Sequence, residues 1–345
     1  MCEERKQAEL ILTPVARRYL CGFPSSDGYL VLFEGKKYLL IDGRYYEEAE
    51  RRLPDMEVRL LKNTRQQLLA LFEELGIEAL SVETEITIEQ LERLRELFPL
   101  LQIEPNQKLS DSVRDMRAVK SEDELEDIKK AQRIAERAFQ NILNFIRVGV
   151  SEKQIAAELD YLMRKAGADR SAFDTIVVSG KRSSLPHGEP TYKSIAPGEF
   201  VTMDFGAVVN GYHSDMTRTV AVGSASEAMQ KVYGTVLAAQ EKAIDVIAAG
   251  VELSVADAAA RGVIKQAGFG EYFSHSTGHG VGLEIHEGPN LSPRSEGALK
   301  SGNVVTVEPG IYIPERFGVR IEDMVWVTET GCQNLTKSDK SLIVL

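Results

Sequence analysis

Two stretches of the chain read alike. Gly198-Glu199-Phe200-Val201-Thr202-Met203-Asp204-Phe205-Gly206 is matched by Gly302-Asn303-Val304-Val305-Thr306-Val307-Glu308-Pro309-Gly310. In each copy an apolar strand runs into a carboxylate and then into a glycine turn signal. The segments ahead repeat as well. Gly149-Val150-Ser151 opens a helix that closes in Lys165-Ala166-Gly167, and Gly250-Val251-Glu252 leads to Lys265-Gln266-Ala267-Gly268. A duplicated half of about one hundred residues predicts a pseudo-twofold domain, with the two acidic strand ends facing each other at its centre.

The repeat leaves a long region ahead of it, and a chain of 345 residues has room for roughly two domains. Tyr29 to Phe33 and Tyr38 to Asp42 are rich in strand formers. Glu34-Gly35-Lys36-Lys37 separates them, which predicts a hairpin. Leu68 to Leu75 and Ile88 to Phe98 carry helix-spaced apolar residues on either side of a buried strand at Ala79 to Val82, an α/β layer pattern. This first domain, residues 1–115, contains no histidine. The boundary is expected near Ser110 to Lys120, with the second domain over 116–345. Ser121-Glu122-Asp123-Glu124 has the form of a capping box and predicts a helix to about Arg147; a second helix starts at Ser151 and stops near Gly167.

Apolar residues make up 43% and charged residues 27%, a globular balance that argues against disorder. The net charge of -11 disfavours nucleic acid and anionic membranes as partners. No apolar run approaches the ~20 residues that span a bilayer. The charged start Cys2-Glu3-Glu4-Arg5-Lys6 lacks the apolar core of a signal peptide. Cys2, Cys21 and Cys332 are odd in number and widely spaced, which reads as reduced thiols in a cytoplasmic protein.

All five histidines lie between His187 and His286. Within that stretch Asn210-Gly211 is a strong hairpin signal. A two-residue turn there sets Val209 against Tyr212 and Asp204 against Thr217, and makes Asp204 and Asp215 diagonal neighbours on one face. Carboxylates that close repel unless a cation or a shared proton neutralises them, or unless both point to solvent. The second copy contributes Glu308 and, after a longer and irregular turn containing Pro314 and Gly318, Glu322. His279, in Gly278-His279-Gly280-Val281-Gly282, completes a hard, oxygen-rich set. It suits manganese, cobalt or iron better than a closed structural zinc site, and four acids can share two divalent ions. Other signals are missing: there is no phosphate-binding loop or dinucleotide fingerprint. Asn290 stands where a helical zinc-protease motif needs its second histidine, and no glycine elbow surrounds Ser183-Ser184.

Taken in order, these motifs resemble the Xaa-Pro aminopeptidase and Xaa-Pro dipeptidase (prolidase) family of pita-bread-fold metallopeptidases. The most specific matches are Met203-Asp204-Phe205-Gly206, Ser214-Asp215-Met216-Thr217-Arg218-Thr219, Gly278-His279-Gly280-Val281-Gly282 with His286-Glu287, Val307-Glu308-Pro309-Gly310 and Arg320-Ile321-Glu322-Asp323. Arg18-Tyr19-Leu20-Cys21-Gly22-Phe23 and Asp42-Gly43-Arg44-Tyr45 resemble the family's N-terminal domain, so the likeness spans essentially the whole chain. It implies an α+β protein: a pita-bread (creatinase/aminopeptidase-like) catalytic domain with a pseudo-twofold internal repeat, preceded by a smaller creatinase-like α/β domain.

By the same resemblance Asp204, Asp215, His279, Glu308 and Glu322 are metal ligands. Asp215 and Glu322 bridge the ions, Asp204 serves one, and His279 and Glu308 serve the other. His187, His275, His286 and Arg320 match positions around the metals or against the substrate, and Glu308 doubles as the general acid–base group. His213 matches no essential position and is assigned to the surface or to packing. The cofactor implied is a pair of divalent ions, Mn²⁺ first, with Co²⁺, Fe²⁺ or Zn²⁺ as substitutes. The expected activity is hydrolysis between an N-terminal residue and a following proline, of the aminopeptidase type. The alternative is a prolidase restricted to dipeptides. The substrates are small peptides with proline second, and a homodimer is expected. A non-catalytic peptide-binding relative, and creatinase, fit less well because the metal ligands are intact. Methionine aminopeptidase fits less well because it usually lacks the N-terminal domain.

Overall fold

The computed structural model describes residues 6–345. The reading of the charged start and of Cys2 lies outside the described residues. The chain divides into two compact units, residues 1–117 and 118–345. The helix Gln107–Ala118 occupies most of the stretch where the sequence suggests a boundary.

The first unit holds a six-stranded sheet. Its spatial order is Glu57–Leu60, Lys36–Ile41, Tyr29–Phe33, Gln7–Ile11, Ala79–Val82, Gln102–Pro105. The predicted hairpin is present with a tighter turn than expected. Phe33 pairs with Lys36, so only Glu34 and Gly35 turn the chain, both at positive φ (49° and 77°), and Lys36 and Lys37 belong to the strand. This is the turn that matches strand twist. The predicted helices run Thr64–Leu75 and Ile88–Leu97. The first starts earlier than its apolar pattern because the Asn63 side chain accepts from the Gln66 N–H and caps it.

The second unit carries the repeat in its hydrogen bonds. Gly149 N–H donates to Ile195 O and Ile195 N–H to Val150 O; Gly250 N–H donates to Leu299 O and Leu299 N–H to Val251 O. Gly198 N–H donates to Val222 O, and Gly302 N–H to Val327 O. The helices Glu122–Ile142 and Glu152–Lys165 cover one half, and Glu227–Asp245 and Leu253–Gln266 cover the other, each pair over its own apolar core. Both capping boxes form, at Ser121/Glu124 and Ser151/Gln154. The first helix stops at Ile142, short of the expected Arg147. Asn141 donates its side chain back to Arg137 O, and Phe145 and Ile146 N–H both turn onto Ile142 O. Ile146 stays buried, which is why the apolar spacing overshoots the helix.

Three strands of the first half, Met216–Val222, Glu199–Phe205 and Ile176–Ser179, form one sheet. The second half builds a five-stranded sheet ordered Glu287–Leu291, Gly278–Gly280, Val304–Val307, Asp323–Val327, Cys332–Asn334, and a separate hairpin Gly310–Ile313/Phe317–Arg320. Among the described residues no helix is long and apolar enough to cross a membrane. Cys21 and Cys332 are free thiols.

One buried acid outside the second unit has a structural task. The helix Pro14–Cys21 has no cap from Thr13; instead the buried Glu83 carboxylate accepts from Leu12 N–H (2.6 Å), Thr13 N–H (3.2 Å) and the Thr13 hydroxyl (2.5 Å). Glu83→Ala strands these donors and lowers stability by about 1–3 kcal/mol. The shift appears as an earlier midpoint in urea unfolding; an unchanged midpoint rejects the cap.

Candidate metal centre

The first hairpin turns at Asn210-Gly211 as its sequence dictates. Val209 pairs with Tyr212 and Thr217 with Asp204. Asp215 sits just before the strand Met216–Val222, diagonal to Asp204. The second hairpin departs from expectation. Its turn is the short Pro314-Glu315-Arg316 between paired Ile313 and Phe317, with Glu315 at φ 58°. Gly318 is not in the turn. It lies in the strand opposite Tyr312, where a Cβ would stand 2.2 Å from Ser183 O. The register is therefore regular: Val307 pairs with Asp323 and Gly310 with Arg320, which sets Glu308 directly opposite Glu322.

A cavity of about 710 Å³ is lined by all nine residues singled out by sequence: His187, Asp204, Asp215, His275, His279, His286, Glu308, Arg320 and Glu322. Ligand atoms of Asp215, His279 and Glu322 lie within 4.8 Å of one another. His279 Nε2 is 3.6 Å from Asp215 Oδ2 and 3.4 Å from Glu308 Oε1. Thr217 Oγ1 donates to Glu322 Oε2 at 2.8 Å, and Arg320 Nη2 donates to Asp204 Oδ2 at 2.6 Å. The strand carrying His279 packs closely: at Gly278 a Cβ would stand 1.9 Å from Thr306 O, and the Thr306 hydroxyl accepts from His279 N–H.

Burial, together with the neighbouring carboxylates, holds Asp215 and Glu322 well above the usual carboxylate range. Burial pushes Glu308 up to about 8, with the Arg320 charge opposing and Asp204 adding to it. Burial also lowers His279 to about 4, so its ring is neutral near pH 7. Its Nδ1–H donates to Gly280 O at 3.0 Å, which leaves the Nε2 lone pair facing the carboxylates. A lone pair among acids needs a cation or a proton between them. Asp204 Oδ1 and Asp215 Oδ1 are buried without a hydrogen-bond partner. Four carboxylates, one oriented imidazole and two orphaned oxygens fit divalent cations.

The remaining residues are organised around Arg320. Its guanidinium donates to Thr217 Oγ1 (3.0 Å), Pro186 O (3.2 Å), Tyr312 OH (3.0 Å) and Asp204. Tyr312 in turn bonds His275 Nε2 at 2.9 Å, while His275 Nδ1–H donates to Ser276 O. Both His275 nitrogens are thus engaged, and burial drops its pKa to about 4. Tyr312 is the residue that sequence reasoning missed. Its signal was its place in a short strand facing Gly318, a position where a bulky side chain needs a residue with none across from it. His286 stacks edge-on against His279, ring centroids 4.5 Å apart. His213 is buried, not superficial, bonding Gly282 O and Arg170; of its two expected roles it takes packing.

A pH dependence follows for the metal-free protein. Acids whose folded pKa is raised bind more protons folded than unfolded, so their contribution to stability is present below about 4.5 and is lost as pH rises through about 8 for Glu308. The depressed His275 and His279 contribute stability that grows as pH rises to about 6.5, so the melting temperature of the metal-free chain should fall between pH 6.5 and pH 8, and Mn²⁺ should remove most of that fall. Calorimetry at the two pH values checks it; a metal-free melting temperature that rises with pH contradicts it.

Residues 126–329 match metallopeptidase family M24, and residues 1–119 match the creatinase/prolidase N-terminal domain. A Xaa-Pro dipeptidase of Pyrococcus furiosus is 40% identical, covering 90% of this chain and 89% of its own. Among solved structures, a Xaa-Pro dipeptidase from Bacillus anthracis is 42% identical, with a TM-score of 0.94 over 98% of this chain and 95% of the other. An X-Pro aminopeptidase from Thermotoga maritima is 40% identical, with a TM-score of 0.93 over 98% and 97%. With both of its parts matched and relatives this similar along its length, the chain belongs to metallopeptidase family M24 and has the pita-bread fold of its prolidase-like members.

Proposed function

We propose that this chain hydrolyses the bond between an N-terminal residue and a following proline, acting first as a Xaa-Pro dipeptidase (prolidase). The observation that carries the reading is the gathering of Asp204, Asp215, His279, Glu308 and Glu322 in one cavity with His187 and His286 beside them. The dipeptidase form is supported by the names of the Pyrococcus and Bacillus relatives. Cleavage of longer Xaa-Pro peptides, the aminopeptidase form, is the second reading, supported by the Thermotoga structure.

In this reading Asp204, Asp215, His279, Glu308 and Glu322 would hold two divalent cations, Mn²⁺ first. When bound, the cations supply Lewis-acid polarisation of the scissile carbonyl and a nucleophile from water at neutral pH. Glu308 takes the proton from the attacking water and delivers it to the leaving proline nitrogen. His187 or His286 donates a hydrogen bond to the developing oxyanion. Arg320 holds the Asp204 carboxylate in place, and Tyr312 holds the His275 ring. The bond ahead of proline has no N–H, so recognition must use the ring and the flanking groups. The chain works in the cytoplasm as a homodimer on small peptides. The free thiols Cys21 and Cys332 support that compartment.

Hydrolysis of Ala-Pro should vanish on chelation and return with Mn²⁺. Glu308→Gln should lower kcat by about 10²–10⁴-fold. Full activity in the chelated protein overturns the reading. A series from Ala-Pro to Ala-Pro-Ala-Ala separates the two forms: turnover confined to the dipeptide supports the prolidase, and turnover of the longer peptides supports the aminopeptidase.

A further inference from the structure

Directly behind the cavity lies a buried ion pair that the reaction does not use. Arg218 lies in the strand Met216–Val222, next to Thr217, and is 1% exposed. All five of its N–H donors find acceptors. Nε donates to Asp339 O (3.1 Å). Nη1 donates to Thr217 O (3.0 Å) and Glu322 O (2.6 Å). Nη2 donates to Asp323 Oδ1 (2.8 Å) and Ser338 O (2.9 Å). Asp323 is fully buried, and its other oxygen accepts from Asn334 Nδ2 (2.7 Å) and forms an ion pair with Lys340 Nζ (3.0 Å).

A buried ion pair is weak evidence for stability, since desolvation offsets much of the attraction. Its geometry is the informative part. The two carbonyls that Nη1 joins belong to Thr217, in the first repeat, and Glu322, in the second. Glu322 N–H donates to the same Thr217 carbonyl (3.2 Å), and the Thr217 hydroxyl donates to the Glu322 carboxylate. The guanidinium fork therefore closes a ring that fixes the main chain of Glu322 against the strand that directly follows Asp215. A lysine keeps the charge toward Asp323 but cannot reproduce the fork.

We propose that Arg218, braced by Asp323 and by the C-terminal segment through Ser338, Asp339 and Lys340, is a positioning residue that sets the spacing of Asp215 and Glu322. It thereby sets the affinity of the centre for its pair of cations. The proposal rests on the metal-centre reading above and concerns groups that touch neither metal nor substrate.

The test titrates metal-free wild type and Arg218→Lys with Mn²⁺ by calorimetry, and with Co²⁺ by visible absorption. With far-UV circular dichroism unchanged, Arg218→Lys should bind Mn²⁺ at least ten-fold more weakly. Its Co²⁺ bands should shift, and kcat on Ala-Pro should fall with little change in KM. A folded Arg218→Lys protein with wild-type Mn²⁺ affinity and Co²⁺ spectrum overturns the proposal. Should Arg218→Lys not fold, Lys340→Met, which removes the ion-pair partner of Asp323, decides: weaker Mn²⁺ binding supports it and unchanged binding overturns it. Wild-type protein that takes up no metal sinks the metal-centre reading itself, a result distinguishable from either.

Discussion

Asp215 and Glu322 are carboxylates exposed by only 4% and 1%, in a cavity they share with Glu308 and Asp204. Two like charges about 4 Å apart repel by about 4 kcal/mol even at an effective dielectric of 20. Burial removes the water that would otherwise screen them. Asp215 directly precedes the buried strand Met216–Val222 and Glu322 the mostly buried strand Asp323–Val327, so these acids cannot swing out to solvent without breaking two cores. The fold holds the acids together against their repulsion, and divalent cations, which membership of this metallopeptidase family implies, would neutralise them. The neutral His279 ring, aimed at the same space by its bond to Gly280, obeys the same constraint.

The repeat supplies this arrangement without making it symmetric. In the first copy the two acids are diagonal across their hairpin; in the second they are directly opposed. His279, whose ring faces the acids, comes from the second half with no counterpart in the first. The two ends of the centre are therefore chemically distinct, although the surrounding backbone repeats bond for bond at Gly149 and Gly250 and again at Gly198 and Gly302. Duplication provides a rigid frame of paired strands, and departures from it provide the chemistry.

Arg320 joins groups that local sequence does not connect. One buried guanidinium reaches Asp204, Thr217, Tyr312 and the carbonyl ahead of His187. Its side chain touches elements of both halves, so the positions of an acid from the first copy and of His275 from the second are correlated through a single residue. Burial opposes its charge, but Tyr312, Asp204 and Glu308 outweigh that and keep it a cation.

The short-range features were readable from sequence because they depend on local rules. Asn210-Gly211 dictates its turn and hence the Asp204–Thr217 register, Ser121 and Ser151 announce their helices, and the doubled strand-acid-glycine pattern announces the pseudo-twofold frame. The N-terminal α/β layer was visible in its alternation of strand and helix patterns. What the sequence left open depends on contacts between distant residues. The second hairpin looked irregular because Gly318 resembles a turn residue; only its approach to Ser183 shows that it belongs in the strand. The helix end at Ile142 was masked because Ile146 is buried by tertiary packing. The Arg218–Asp323 pair carries no local signature, since a hydrogen bond across about one hundred residues leaves no periodicity behind. Local propensity and pattern settled which elements form and which side chains are acidic. Only the folded chain decided which of them meet, because that depends on distances in space that sequence spacing does not encode.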